Sequence, residues 1–339
     1  MVTKNLFFTI LIIATLAVAG CVSNTELSNN IPPESTQTEQ DNSIKTASDG
    51  TKYIVNPKDI LSGGPPQGGI GVDRGIPALA KENIKFIPIE EADYIQDNEL
   101  VLVLNHKGEE RVYPLQIMTW HEIANDNIQG DAIIITYCPL CGSGIAYESY
   151  VEIDGIKTET RFGTSGKLYN SNLIMYDEAT ETYWQQIGGQ AIVGELTGQT
   201  LTAISLDTVV WRDYKNSNPN AKVLSQDTGI NRNYGRDPYG NYYENSFLLF
   251  PVDNEDDTIH PKTIIFGIEH EGNFKAYKED DLINLGTIED TIGETNIIVT
   301  RNDAGIVTIT ADGKELVKER DMWFAWYAFH PTTLLFESE

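Results

Sequence analysis

The stretch Thr136-Tyr-Cys-Pro-Leu-Cys-Gly-Ser-Gly144 constrains this chain more than any other. It is entered through the apolar run Ala132-Ile-Ile-Ile135 and left through Ile145-Ala-Tyr147. A β-branched run ending in Cys-Pro-x-Cys-Gly reads as a strand that turns sharply and carries two sulfurs at its end. Proline pre-sets the first turn position, and Gly142 and Gly144 let the backbone fold close around whatever the sulfurs hold. Cys138 and Cys141 are the thiols expected inside the folded part.

The third cysteine has a different use. Lys4 followed by the apolar run Leu6–Val18 is too short to span a bilayer and has the layout of a secretory signal. It ends in Leu16-Ala-Val-Ala-Gly-Cys21, which resembles the lipobox of prokaryotic lipoproteins. That resemblance implies cleavage after residue 20, a lipid on Cys21 and anchorage to the outer face of the cell membrane. Residues 21–51 are rich in Ser, Thr, Asn, Gln and Glu and cannot bury enough apolar surface to fold, so they read as a linker. The globular domain is expected over 52–339. Its formal net charge, −26 for the whole chain, excludes nucleic acid and adhesion of the domain surface to anionic lipid. The acidic run Asp253-Asn-Glu-Asp-Asp257 lacks the glycine turn and terminal glutamate of an EF-hand loop and reads as a solvated loop.

From Ile84 onward the pattern is one of short strands, at 84–89, 100–104, 111–113, 132–137, 145–153 and 158–162. Turn signals such as His106-Lys-Gly108 and Asp154-Gly155 separate them. A helix is predicted from Pro114 to about Asn125, and another over 206–215 with Asp207 as its N-cap. Residues 216–245 read as loops, with strands resuming at Phe247. The glycine-dense Ser62–Gly71 segment lacks the setting of a phosphate loop.

Laying Leu100–Thr136 on Ile264–Thr300 without a gap matches His106-Lys-Gly with His270-Glu-Gly, Tyr113 with Tyr277, Asp126 with Asp290 and Ile128 with Ile292. The expected fold is therefore a β-rich α+β domain built by internal duplication. It would hold two related strand-turn-strand-helix-strand units, at about 84–200 and 246–339. Asn302, Gly305 and Leu285 stand in the second segment where Cys138, Cys141 and His121 stand in the first. The three soft ligands thus travel together, which marks them as a candidate site.

Cys-Pro-x-Cys-Gly supports three chemistries. As a metal knuckle it needs further ligands; with no second Cys pair, His121 on the predicted helix is the leading third donor, and Met118, Met175 or His330 could complete the set. Thiolate with thioether and imidazole selects copper over harder ions, with zinc and iron as the other options. As a redox dithiol it has the thioredoxin-type spacing, but a β-rich run follows it where that motif has a helix. As a structural disulfide it suits a secreted module that binds a partner through its loops. Ser165, in Phe162-Gly-Thr-Ser-Gly166, is expected to serve a tight turn. No Ser-His-Asp set, phosphate loop or HExxH can be assembled.

Several phrases occur together: Trp120-His-Glu-Ile, Thr136-Tyr-Cys-Pro-Leu-Cys-Gly142, Phe162-Gly-Thr-Ser-Gly166, Asn172-Leu-Ile-Met-Tyr-Asp177, Trp184-Gln-Gln and Trp323-Phe-Ala-Trp-Tyr-Ala-Phe-His-Pro331. They resemble an exported bacterial and archaeal family catalogued only as a domain of unknown function. The resemblance places Trp120, His121, Asp126, Cys138, Cys141, Phe162, Gly163, Trp184 and His330 on the family's motif positions and implies no activity. The leading expectation is a lipid-anchored, extracytoplasmic protein that handles a metal or transfers electrons. It would meet a protein partner for redox or metal exchange. A thiol–disulfide oxidoreductase and a cell-surface binding or structural module are the alternatives.

Overall fold

The computed structural model describes residues 43–338. Strands make up 42 % of the described residues and helix 14 %. The expected α+β fold of two duplicated strand-turn-strand-helix-strand units is overturned by this architecture. Among the described residues the four α-helices, α1 (Leu115–His121), α2 (Trp211–Ser217), α3 (Glu279–Leu285) and α4 (Trp323–Phe329), span seven residues each. Two turns cannot form a helical layer, so the core is built by sheets covering sheets.

Among the described residues six sheets result, and their pairing ignores the expected unit boundaries. Strands Asp207–Val210 and Lys222–Leu224 join the sheet of Leu100–His106 and Glu109–Pro114, and Phe86–Pro88 forms its edge. The seven-stranded sheet carries Phe162–Tyr169, Asn172–Asp177, Tyr183–Gln185 and Ala191–Val193. Short strands at Lys45–Thr46, Lys52–Tyr53 and Leu61–Ser62 flank them. The Lys45–Thr46 strand therefore lies inside the segment expected to be linker, while the signal segment and Cys21 lie outside the described residues.

Two-residue turns set the register of the hairpins. Lys107-Gly108, Gln129-Gly130, Asp154-Gly155, Glu271-Gly272 and Asp312-Gly313 all have positive φ at both positions, the geometry that matches strand twist. Asn170-Ser171 does the same without glycine, at φ 50° and 60°. Helix α1 starts after Pro114 as predicted but stops at His121, not Asn125. Glu122 turns the chain at φ 57°, and Ile123–Ile128 becomes a strand paired with Asp131–Cys138. Asp207 likewise lies in a strand instead of capping α2, its carboxylate accepting from Val307 N and Lys318 Nζ, both at 3.1 Å. The 246–263 segment holds no strand; pairing resumes at Ile264.

Buried polar side chains pin the sheets to one another. Asn125 donates from Nδ2 to Leu79 O at 3.0 Å and Phe162 O at 2.9 Å, and its Oδ1 accepts from Phe162 N at 2.7 Å. Asp126 accepts from Arg111 Nη1 at 2.5 Å and the Tyr113 hydroxyl at 2.6 Å. Asn125→Ala strands the Phe162 amide and carbonyl in the interior. It is expected to lower the free energy of urea unfolding by about 2–4 kcal/mol; a loss below about 1 kcal/mol would show that these groups find other partners.

Candidate functional site

The Asp131–Cys138 and Ser143–Glu148 strands form a hairpin whose last pair is Cys138 with Ser143. Between them the chain closes a turn, with Cys141 N donating to Cys138 O at 3.1 Å, and leaves it at Gly142 with φ 63°. The two sulfurs are brought together, 3.1 Å apart and both free thiols.

This hairpin tip is buried; Cys138 is 2 % exposed and Cys141 fully covered. The covering elements come from the C-terminal half. Met322 N donates to Cys141 O at 2.8 Å, and the Tyr242 hydroxyl donates to Leu140 O at 3.0 Å. Lys262 holds the tyrosine-bearing segment in place. Its ammonium donates to Tyr242 O at 2.5 Å and Phe247 O at 2.7 Å and lies 3.4 Å from the centre of the Tyr242 ring.

Beneath the sulfurs lies a shell of amides. The Cys141 thiol donates to Ser171 O and its sulfur accepts from Asn172 Nδ2, both at 3.4 Å. Asn172 Nδ2 also donates to Gln186 Oε1 at 2.7 Å, while Gln186 Nε2 reaches Thr136 Oγ1 at 3.1 Å and Ser143 O at 3.2 Å. The carbonyls of Cys138, Leu140 and Cys141 in the buried turn thereby each meet a donor, as burial requires. Burial, reinforced by the Cys138 thiol beside it, pushes the Cys141 thiol well above its ordinary range. No helix N-terminus backs the pair, since a strand follows it directly. Neither Asn172 nor Gln186 was assigned a role from sequence. The signal was an amide at the edge of an apolar or aromatic strand, Asn172 opening Asn172–Asp177 and Gln186 following Tyr183–Gln185.

His121 is placed elsewhere. Its Nδ1–H donates to Pro77 O at 2.7 Å, so Nε2 accepts from the Tyr234 hydroxyl at 2.6 Å. Burial lowers its pKa to about 4, and both ring nitrogens are taken. His330 packs against Phe274 and Trp326, with ring centroids 4.4 and 4.2 Å away, and burial lowers it to about 4 as well. Met118 belongs to a different core cluster, under α1, whereas Met175 shares the cluster of the two cysteines, as does Met322. Among the described residues no group of three or more His, Cys, Asp and Glu is arranged to hold an ion. Ser165 donates to Ile174 O at 2.6 Å at an irregularity inside the Phe162–Tyr169 strand, so it sits in a strand and not in the tight turn expected of it.

Two features were not anticipated. A cavity of about 430 Å³ opens beside the hairpin, lined by Tyr137 and Gly142, the residues flanking the Cys-Pro-Leu-Cys turn, and by Met322. Close by, Glu122 is 8 % exposed and its carboxylate has no hydrogen-bond partner among the described residues; burial pushes its pKa up to about 8. It also holds a left-handed backbone that glycine adopts at the end of α3, where Gly286 has φ 70°. Such a conformation costs a non-glycine residue about 1–2 kcal/mol. On the other flank, burial drives the Asp321 carboxyl up to about 7.

The model of a family described as protein of unknown function (DUF3179) matches residues 73–333, a span that holds the cysteine hairpin, its amide shell and the cavity. Neither a curated protein nor a solved structure matches the chain.

The raised Glu122 carboxyl sets a pH dependence. Below its ordinary value of 4.5 the group is protonated both folded and unfolded; between there and about 8 only the unfolded chain releases the proton. Its contribution to stability is thus fully present at low pH and is lost as pH rises, by a total on the order of 5 kcal/mol. Urea unfolding of wild type and Glu122→Gln from pH 4.5 to 8.5 is expected to show the variant gaining on wild type as pH rises. A difference that stays constant over that range would contradict the buried, unpartnered carboxyl.

Proposed function

The chain belongs to the DUF3179 family, and on that premise we propose an exported, lipid-tethered thiol–disulfide protein in which Cys138 and Cys141 cycle between dithiol and disulfide. One observation carries this reading: two buried free thiols 3.1 Å apart across a closed turn. A disulfide needs about 2.05 Å, a closure that side-chain rotation within the turn can supply. In the exchange, the Cys138 thiolate attacks an acceptor disulfide and expels one thiolate, which takes up a proton. Deprotonated Cys141 then attacks Cys138 of the mixed disulfide, and the second thiol leaves. The pair loses two electrons and two protons; the acceptor disulfide becomes two thiols. Cys138 is the attacking sulfur because Cys141 is the deeper of the two and is held as a thiol by burial. Without a helix dipole behind it, exchange is slow at neutral pH. The apolar run before Cys21 supports export and lipid anchorage, with Cys21 as the modified residue.

A second reading keeps the pair as ligands to a soft ion, copper first. Its support is that Cys138, Cys141, Met175 and Met322 lie in one buried cluster. His121, His330 and Met118 take no part in it.

Treating the full chain with diamide is expected to lower its mass by two hydrogens and abolish alkylation of unfolded protein, an effect absent from Cys138→Ser/Cys141→Ser. If the sulfurs stay unjoined, and purified wild type carries stoichiometric copper that the double variant lacks, the metal reading replaces the redox one. Cys21→Ser should move the protein from the membrane to the soluble fraction; unchanged membrane association would remove the lipid anchor.

A further inference from the structure

The cavity beside the cysteine turn has a lining of unusual character for so acidic a chain. Its walls are apolar, with Leu115 and Met322 among them, yet charges of both signs face it. Lys262 is 6 % exposed, and its ammonium donates to Tyr242 O, Phe247 O and Asn245 Oδ1, all neutral oxygens. Its charge therefore has no acid against it, a costly arrangement for a buried cation. Arg236, at the rim, has no hydrogen-bond or ion-pair partner for its guanidinium among the described residues. Arg320 also lines the cavity but is neutralised by Glu279. Opposite signs come from Glu99 and Asp237. Glu99 Oε2 accepts only amide N–H groups, from Gln116 at 2.6 Å and Gln96 at 3.2 Å, and Asp237 accepts from the Tyr239 amide at 2.8 Å. The cavity thus presents two cations and two anions, none of them neutralised by another, around an apolar floor.

A simple anion or a simple cation leaves half of these charges unmatched. A molecule bearing a carboxylate, an ammonium and a short apolar body matches both. We propose that this cavity binds a zwitterionic amino-acid unit, its carboxylate toward Lys262 and Arg236 and its ammonium toward Glu99. Because the cavity lies against Tyr137 and Gly142, the residues on either side of the dithiol turn, the acceptor disulfide is of this class, with cystine as its simplest member. That last step rests on the dithiol reading; the binding step does not. Cystine plus the dithiol gives the Cys138–Cys141 disulfide and two cysteines, which balances sulfur, protons and electrons.

Two measurements on the full-length chain separate the steps. Calorimetric titration of the Cys138→Ser/Cys141→Ser chain with L-norleucine, a zwitterion without sulfur, is expected to saturate. Hexanoate and hexylamine should each bind about tenfold more weakly, as should norleucine to the same chain with Glu99→Gln or Arg236→Gln. Absence of saturable norleucine binding, or equal binding of all three probes, overturns the site. With the native cysteines, L-cystine should oxidise the pair about tenfold faster than the uncharged 2-hydroxyethyl disulfide, and Arg236→Gln should remove that advantage. Equal rates overturn the substrate assignment while leaving the dithiol intact. Failure of diamide as well overturns the dithiol reading and leaves norleucine binding to decide the site.

Discussion

Burying the tip of the 131–148 hairpin is the constraint on which the rest depends. A four-residue turn exposes backbone amides and carbonyls that water would ordinarily satisfy, and this one is sealed under Met322 and Tyr242. The interior must then supply the partners. It does so through Asn172 and Gln186, which bridge strands distant in sequence and tie the cysteine hairpin to the seven-stranded sheet. Removing either amide leaves donors and acceptors stranded in an apolar setting, so the sulfurs and the sheets beneath them are held by the same bonds.

Burial also decides the charge state of the neighbourhood. The chain carries about twice as many acidic as basic residues, yet around the thiols the acids are driven toward their neutral forms: Glu122 up to about 8 and Asp321 up to about 7. His121 and His330 are driven the other way, to about 4, and are neutral as well. The acids beside the thiol pair are thus held toward neutrality inside an acidic protein, and Lys262 stands in the adjoining cavity wall as an uncompensated cation. Neutral thiols exchange slowly, and an opposing charge brought in by a ligand would be felt strongly there.

Local chemistry was readable from the sequence and long-range chemistry was not. Lys107-Gly108 and Asp154-Gly155 announce their turns because a two-residue hairpin needs positive φ. Cys-Pro-Leu-Cys announces a closed turn for the same kind of reason. The end of α1 was not readable, since glutamate at 122 is no helix breaker and its left-handed backbone is imposed by the strand that follows. The α+β duplication failed because periodicity within 100–136 and 264–300 says nothing about the strands at 45–62, 207–210 and 222–224 that complete the sheets. His121 misled for a related reason: a helix that packs on the cysteine strand can still point its imidazole toward Pro77 and Tyr234. The contacts that matter most, Asn172 to Cys141 and Tyr242 to Leu140, span 31 and 102 residues and carry no local signature.

Crystal structures of the chain before and after diamide treatment test the central claim most directly. The expected result is a hairpin with an unchanged backbone in which the sulfur separation falls from 3.1 Å to a bond of about 2.05 Å, and Asn172 keeps its bond to Gln186. Sulfurs that remain apart after oxidation, or that flank an ion bound between them, would contradict it.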